Sequence, residues 1–302
     1  MTMFAATPAP FSPPRRSCLS VPAINPRALG KTHDLDCDVV IFDLEDSVAP
    51  ERKAEARDNL RRFFRETPLE GPERVIRINS AGTEFHGDDL ALMLELQPDV
   101  VLLPKAEDPA EMREMAKFLA GAPAALRLWA MMETPAGVLN AATIAAAGRA
   151  GDGRLDCFVL GLNDLRKETG VLPQPGRAYL VPWMMQVVLT ARAYGLDVID
   201  SVFNDFRDEA GFAAESGQGR AMGFDGKMLI HPAQIIAANE AFGPGPDAIA
   251  EAEAIIAAFA APDARGLNVI NMNGQMVERL HLEQAERLMA KTRQISLRRK
   301  KT

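Results

Sequence analysis

Seven short apolar runs in this chain each end in side chains that could do chemistry. VIFDLED ends in Asp43, Glu45 and Asp46, RVIRIN carries Arg77 and Asn79, and VVLLPKAE carries Lys105 and Glu107. RLWAMME ends in Glu133, CFVLGLND in Asn163 and Asp164, DVIDSVFND in Asp200, Asn204 and Asp205, and GKMLIHP in His231. Two carboxylates brought onto one site either share a proton or share a cation. For Glu133 and Asp164 we favour the cation: Mg²⁺ takes one or two carboxylates and fills its octahedron with waters and substrate, and no Cys/His cluster points to zinc. Arg77 is suited to grip a carboxylate through two parallel hydrogen bonds. A salt bridge to Glu45 or Asp46 is the plain alternative, and both hold if an acid behind the guanidinium fixes its orientation. Helix capping and solubility would also account for the three acids of DLED, taken alone. The expectation adopted is that Glu45 and Asp46 orient polar groups around the metal while Asp43 shapes the strand end.

These residues share a site only if the elements that carry them converge. The apolar runs SCLSVP, DVVIFDLE, RVIRIN, VVLLPK, RLWAMME, CFVLGLND, DVIDSVF and GKMLIHP read as strands. Amphipathic segments such as ERKAEARDNLRRFF, PAEMREMAKFLAG, TPAGVLNAATIAAAG and VPWMMQVVLTARAYG separate them and read as helices. Strand–helix alternation with few hairpin turns means a parallel sheet. Eight strands suit an α/β TIM (β/α)8 barrel, whose active site is built at the C-terminal ends of the strands, and nearly every strand here ends in a polar residue. No GxGxxG follows the first strand, which weakens the dinucleotide-binding alternative. Residues 1–14 read as a flexible leader, 15–245 as the barrel, and 246–302 as a helical extension with a strand-like or loop element around Val269 to Val277; the closing LRRKKT reads as a solvated, frayed end.

Composition narrows the function. The chain has 302 residues, 47% of them hydrophobic, and a formal net charge of −7. That is enough to bury a full core, and it offers no general attraction for nucleic acid or an anionic membrane. Three cysteines, Cys18, Cys37 and Cys157, without metal-ligand spacing, suit a reducing, cytoplasmic setting and read as small core residues rather than nucleophiles. No stretch approaches the roughly 20 apolar residues of a membrane span.

The ordered set LSVPAINPRALGK, VIFDLEDSVAPERKAEAR, RINSAGTEFHGDDL, LLPKAED, METPAGVLNAA, LGLNDL and IDSVFNDFRDEAGFAAESGQGRAMGFDGKMLIHPAQI resembles the citrate lyase β-subunit family within the HpcH/HpaI aldolase superfamily. The resemblance runs over nearly the whole chain. It implies a TIM barrel that uses Mg²⁺ to cleave a carbon–carbon bond in a 3-hydroxyacyl-CoA such as citramalyl-CoA, malyl-CoA or a citryl thioester. It assigns Glu133 and Asp164 to the metal and Arg77 to the oxoacid carboxylate, and it matches Ser20, Arg27, Lys31, Ile199 and Asp200 to positions that contact substrate or CoA. It also implies a homo-oligomer, commonly a trimer, because a C-terminal GxMVD segment in many such lyases supplies a catalytic Asp to the neighbouring subunit. Here NGQMVERLH has Glu278 at that position, an acid longer by one methylene. The catalytic candidates are thus Arg77, Glu45, Asp46 and Glu278. A thioester hydrolase or class II aldolase on the same barrel, and a subunit working only with an acyl carrier partner, are the competing readings.

Overall fold

The computed structural model describes residues 13–272 and 274–299. The leader reading for residues 1–12 and the frayed-end reading for 300–302 lie outside the described residues. Eight parallel strands close into a barrel in sequence order: β1 Ser17–Pro22, β2 Val39–Asp43, β3 Glu73–Arg77, β4 Val100–Leu103, β5 Arg127–Met132, β6 Leu155–Leu160, β7 Asp197–Asp200 and β8 Gly226–Leu229. Pairing of β1 with β8, Cys18 opposite Met228, completes the ring. The helices between them are α1 Pro26–Lys31, α2 Lys53–Glu66, α3 His86–Leu96, α4 Pro109–Ala120, α5 Pro135–Arg149, α6 Leu162–Thr169, α7 Val181–Ala193 and α8 Glu209–Met222, with α9 Ile235–Phe242 after the last strand.

The strands are apolar on both faces because both are covered. One side chain of each consecutive pair turns into the barrel and the next turns out to the helices. The inward set, Cys18, Val39, Ile41, Val75, Val100, Leu102, Trp129, Met131, Cys157, Val159, Ile199 and Met228, forms a core drawn from all eight strands. The outward set packs under the helices with Phe42, Ile76, Leu103, Phe158 and Phe242. All three cysteines are buried, as read from the sequence.

Several strands end sooner than the sequence suggests. β6 stops at Leu160, and Asn163 and Asp164 fall in the first turn of α6, where an acid suits the positive end of the helix dipole. The start of the barrel is tied down just ahead of β1, within the barrel range read from the sequence. Arg15 is only 2% exposed and pairs with Glu73, Asp156 and Asp197, while Arg16 pairs with Asp38.

A second compact unit takes the described residues from Gly243 onward. Helix α10 (Pro246–Ala260) is followed by an antiparallel hairpin, β9 (Val269–Met272) with β10 (Gln275–Glu278), and then by α11 (Arg279–Arg299). Ala252, Ile255, Phe259, Val277 and Ala285 form its own small core. Among the described residues no helix is long and apolar enough to cross a membrane.

Candidate active site

The inward alternation that builds the barrel core also selects the site. Continuing it by one residue at the C-terminal ends leads from Ile41 to Asp43, from Val75 to Arg77 and from Met131 to Glu133. Asp43 and Arg77 sit opposite one another in the β2–β3 register. The guanidinium gives Nε to Asp43 Oδ1 and Nη2 to Asp43 Oδ2, both at 2.7 Å. Asp43 also accepts the backbone N–H groups of Glu45 at 2.9 Å and Ser47 at 3.1 Å. Complete burial pushes its carboxyl up, but the Arg77 charge and these hydrogen bonds outweigh burial and hold it at about 2. Strand alternation points Asp43 inward beside Arg77, so Asp43 holds the guanidinium through two hydrogen bonds, in addition to the expected ion pairs with Glu45 and, at 4.0 Å, with Asp46. Asp43 uses the Nε–Nη2 edge, and the remaining Nη1 faces the acids that follow β2. Nη1 lies 3.2 Å from Glu45 Oε2 and 3.7 Å from Met131 Sδ.

Lys105 joins the two sides of this mouth. Its ammonium group bonds Glu45 and reaches Asp46 at 3.5 Å, and its backbone N–H donates to Glu133 Oε1 at 2.8 Å. Glu45 is buried and Asp46 is exposed. Glu133 is 1% exposed, and its Oε2 has no hydrogen-bond partner among the described residues. Burial, with Glu45 nearby, pushes the Glu133 carboxyl up to about 8; Arg77, Lys105 and the Lys105 amide only partly offset this. Gly161, just past β6, backs the same carboxylate: a Cβ there would be driven into Glu133 Oε2.

This corner fits a hard dication. A buried carboxylate oxygen without a donor is costly as an anion, and a bound cation supplies the missing charge. Asp43, Glu45, Asp46 and Glu133 also outnumber the cations Arg77 and Lys105. Asp164, half-buried in the first turn of α6, comes from the segment after the strand that pairs with β5. Among the described residues no group of three or more His, Cys, Asp or Glu side chains is placed to hold a metal. Two carboxylates completed by water and substrate is a common Mg²⁺ arrangement.

The other residues singled out by sequence are spread around the barrel. Ser20 is half-buried in β1, and Arg27 and Lys31 are exposed on α1. Ile199 lies in the inner core. Asp200, one residue on, turns outward and is fully buried; Arg177 Nη1 donates to its Oδ1 at 2.7 Å and Lys227 Nζ to its Oδ2 at 3.1 Å. Asn79 bonds Asp89 and the Leu44 carbonyl, Asn163 pairs with Asn204, and His231 caps the 3-10 turn at Pro232–Gln234. Glu278 ends β10 and is exposed; its backbone N–H donates to His281 Nδ1 at 2.9 Å. Sequence reasoning placed Lys105 at a strand end but missed it as the link between Glu45 and Glu133. That link runs through a backbone N–H, which a residue type does not display.

The chain is similar to several known proteins. A (3S)-malyl-CoA thioesterase of Cereibacter sphaeroides is 42% identical over 94% of this chain and 96% of its own length. The human mitochondrial citramalyl-CoA lyase is 34% identical over 90% of this chain and 84% of its own. The CitE protein of Mycobacterium tuberculosis, solved in complex with magnesium, acetoacetate and coenzyme A, superposes with a TM-score of 0.73 at 31% identity, covering 91% of this chain and 97% of that one. The HpcH/HpaI aldolase/citrate lyase family matches residues 16–232, which takes in the whole barrel and the mouth just described, and the chain belongs to that family.

Proposed function

We propose that this protein is a Mg²⁺-dependent carbon–carbon lyase that splits a 3-hydroxyacyl-CoA of the malyl-, citramalyl- or citryl-CoA kind into acetyl-CoA and a 2-oxoacid. The observation that carries the reading is the pairing, at one barrel mouth, of an unpartnered Glu133 Oε2 with an Arg77 that Asp43 holds along its Nε–Nη2 edge and whose Nη1 faces Glu45. Glu133 and Asp164 would hold the cation. When bound, Mg²⁺ supplies Lewis acidity to the hydroxyl and carboxylate oxygens that become those of the 2-oxoacid. Arg77 binds that carboxylate, and Asp43 prevents the guanidinium from turning away. Ser20, Arg27 and Lys31 lie toward the CoA, the two exposed cations being suited to its phosphates.

In the cleavage direction a carboxylate base takes the hydroxyl proton. The bond between the hydroxyl carbon and the acyl α-carbon breaks, its electron pair passes into the thioester enolate, and an acid returns a proton to carbon. Glu278 of a neighbouring copy is the candidate for that acid, which makes the active form a homo-oligomer, a trimer or a multiple of one. Glu45 and Asp46 act here as neighbours of the cation and of Arg77.

Thioester hydrolysis is a second reading, favoured by the 42% identity to a protein named a (3S)-malyl-CoA thioesterase. The lyase reading is preferred because Arg77 and Glu133, the carboxylate that would hold the cation, share one mouth, an arrangement that would grip a hydroxy-acid carboxylate beside the metal. Purified protein with Mg²⁺ and each of the three thioesters, followed for 2-oxoacid and for free thiol, separates the two. Oxoacid and acetyl-CoA without free thiol, lost with EDTA and in Glu133→Ala, are expected. Free thiol with the intact hydroxy acid would replace the lyase by the hydrolase.

A further inference from the structure

Two buried carboxylates at the mouth each have one oxygen without a hydrogen-bond partner: Glu133 Oε2, and Glu45 Oε2, which faces Arg77 Nη1 at 3.2 Å as an ion pair. Both have their other oxygen held by the same residue. Lys105 gives its ammonium group to Glu45 Oε1 and its backbone N–H to Glu133 Oε1. A cation arriving beside Glu133 would therefore meet two competing anionic oxygens, of which only one is needed.

The backbone at Lys105 is built for this task. Its φ is +48°, a left-handed conformation that is unfavourable for a lysine and that no side-chain hydrogen bond to its own backbone offsets. Strand pairing shows what the turn achieves. Leu103 is the partner of Ala130, and the next ladder bond onto β5 comes from Ala106 N–H to the Met131 carbonyl at 3.3 Å. Pro104 and Lys105 are looped out between them. Pro104 has no N–H, so the amide released from the ladder is that of Lys105, and it is aimed at the carboxylate of Glu133. The side chain then runs the other way, across Arg77, to the acids that follow β2.

We propose that Lys105 is a positioning residue that tells the two carboxylates apart: its amide turns Glu133 Oε2 toward the cation, and its ammonium group keeps Glu45 out of the coordination positions that the substrate must fill. The inference rests on the reading of Glu133 as a cation ligand. Removing the ammonium group should release Glu45 onto the cation. Binding of the metal then tightens while binding of the oxoacid weakens, because a substrate position has been taken. A side chain with only a structural role would weaken both together or change neither.

The test is calorimetric titration of the full-length protein with Mg²⁺ alone, and then with pyruvate in the presence of Mg²⁺. Wild type should bind Mg²⁺ and Glu133→Gln should not; failure here discards the cation reading itself. Lys105→Met should bind Mg²⁺ on the order of tenfold more tightly, as loss of a unit positive charge near the cation also predicts, and pyruvate at least about tenfold more weakly. Charge balance alone predicts that neutralising either neighbouring acid, in Lys105→Met/Glu45→Gln or in Lys105→Met/Asp46→Asn, returns both affinities toward wild type. The proposal instead requires recovery of Mg²⁺ and pyruvate binding in Lys105→Met/Glu45→Gln alone, with Lys105→Met/Asp46→Asn keeping the tight Mg²⁺ and weak pyruvate binding, and it requires Lys105→Arg to resemble wild type; equal recovery in the two double variants would overturn it. Lys105→Gly, which accepts the left-handed backbone without cost, covers the case in which Lys105→Met does not fold. Unchanged or weaker Mg²⁺ binding in the folded single variants, or a Lys105→Met/Glu45→Gln variant that recovers nothing, would overturn it.

Discussion

The two ends of the barrel use the same residue types to opposite effect. At the N-terminal end Arg15 lies over the Trp129 ring at 4.6 Å and gives its donors to Glu73, Asp156 and Asp197, with contacts from 2.8 to 3.3 Å. Burial alone would lower its pKa, but Asp156, Glu73 and Asp197 raise it well above the usual value. Acids and base close the bottom of the inner core. At the C-terminal end Arg77 and Lys105 face Asp43, Glu45, Asp46 and Glu133, and Glu133 Oε2 is left without a donor. One end spends its charges on each other and stabilises the fold. The other holds negative charge in reserve, which is what a site for a cation requires.

If that contrast is right, Arg15→Ala should show the largest effect on stability. Three carboxylates lose a buried partner at once, and about 3–5 kcal/mol should disappear from the urea unfolding free energy. Mg²⁺ binding should survive in whatever protein stays folded. At the other end Glu133→Gln should reverse the pattern, with turnover falling on the order of a thousandfold. Its melting temperature should hold or rise, since a neutral amide replaces a buried acid with an unpaired oxygen; a marked fall would show that Glu133 is part of the frame.

Asp43 belongs to the active end but behaves like the closed one, and acid tests this. Its pKa is depressed from 3.8 to about 2, so its contribution is complete above 3.8 and is lost as the pH falls through about 2. The stability gap between wild type and Asp43→Asn should therefore be about 2 kcal/mol larger at neutral pH than below pH ~2, measured by denaturant unfolding across that range. The smallest effect belongs to Arg127, which bonds Asp156 at 3.1 Å from a side chain 36% exposed. Arg127→Ala should cost less than about 1 kcal/mol. A cost near that of Arg15→Ala would mean that the whole bottom network, rather than Arg15, is the unit of stability.

Much of this was legible in the residues. Apolar runs such as Val39–Phe42 and Val100–Leu103 can be buried only as parallel strands covered on both faces, and DLED, RIN, PKAE and METP mark where those strands stop. The share of work between neighbouring acids was not legible. Asp43 and Glu45 are carboxylates two residues apart at the end of β2, yet one is shared between Arg77 and two backbone N–H groups and the other is divided between Arg77 and Lys105. Asp200 and Ile199 differ by a single step along β7, and that step decides which of them looks into the barrel.

The sequence by itself determined the strand count, the parallel order, the ring of polar strand ends and the membership of the family, because each depends on local pattern read along the chain. Only the tertiary structure decided which charges meet. Asp43 and Arg77 are 34 residues apart, and Glu45 and Lys105 are 60 apart. Those separations vanish when β2, β3 and β4 pair side by side, and the amide that orients Glu133 is freed by the left-handed turn at Lys105.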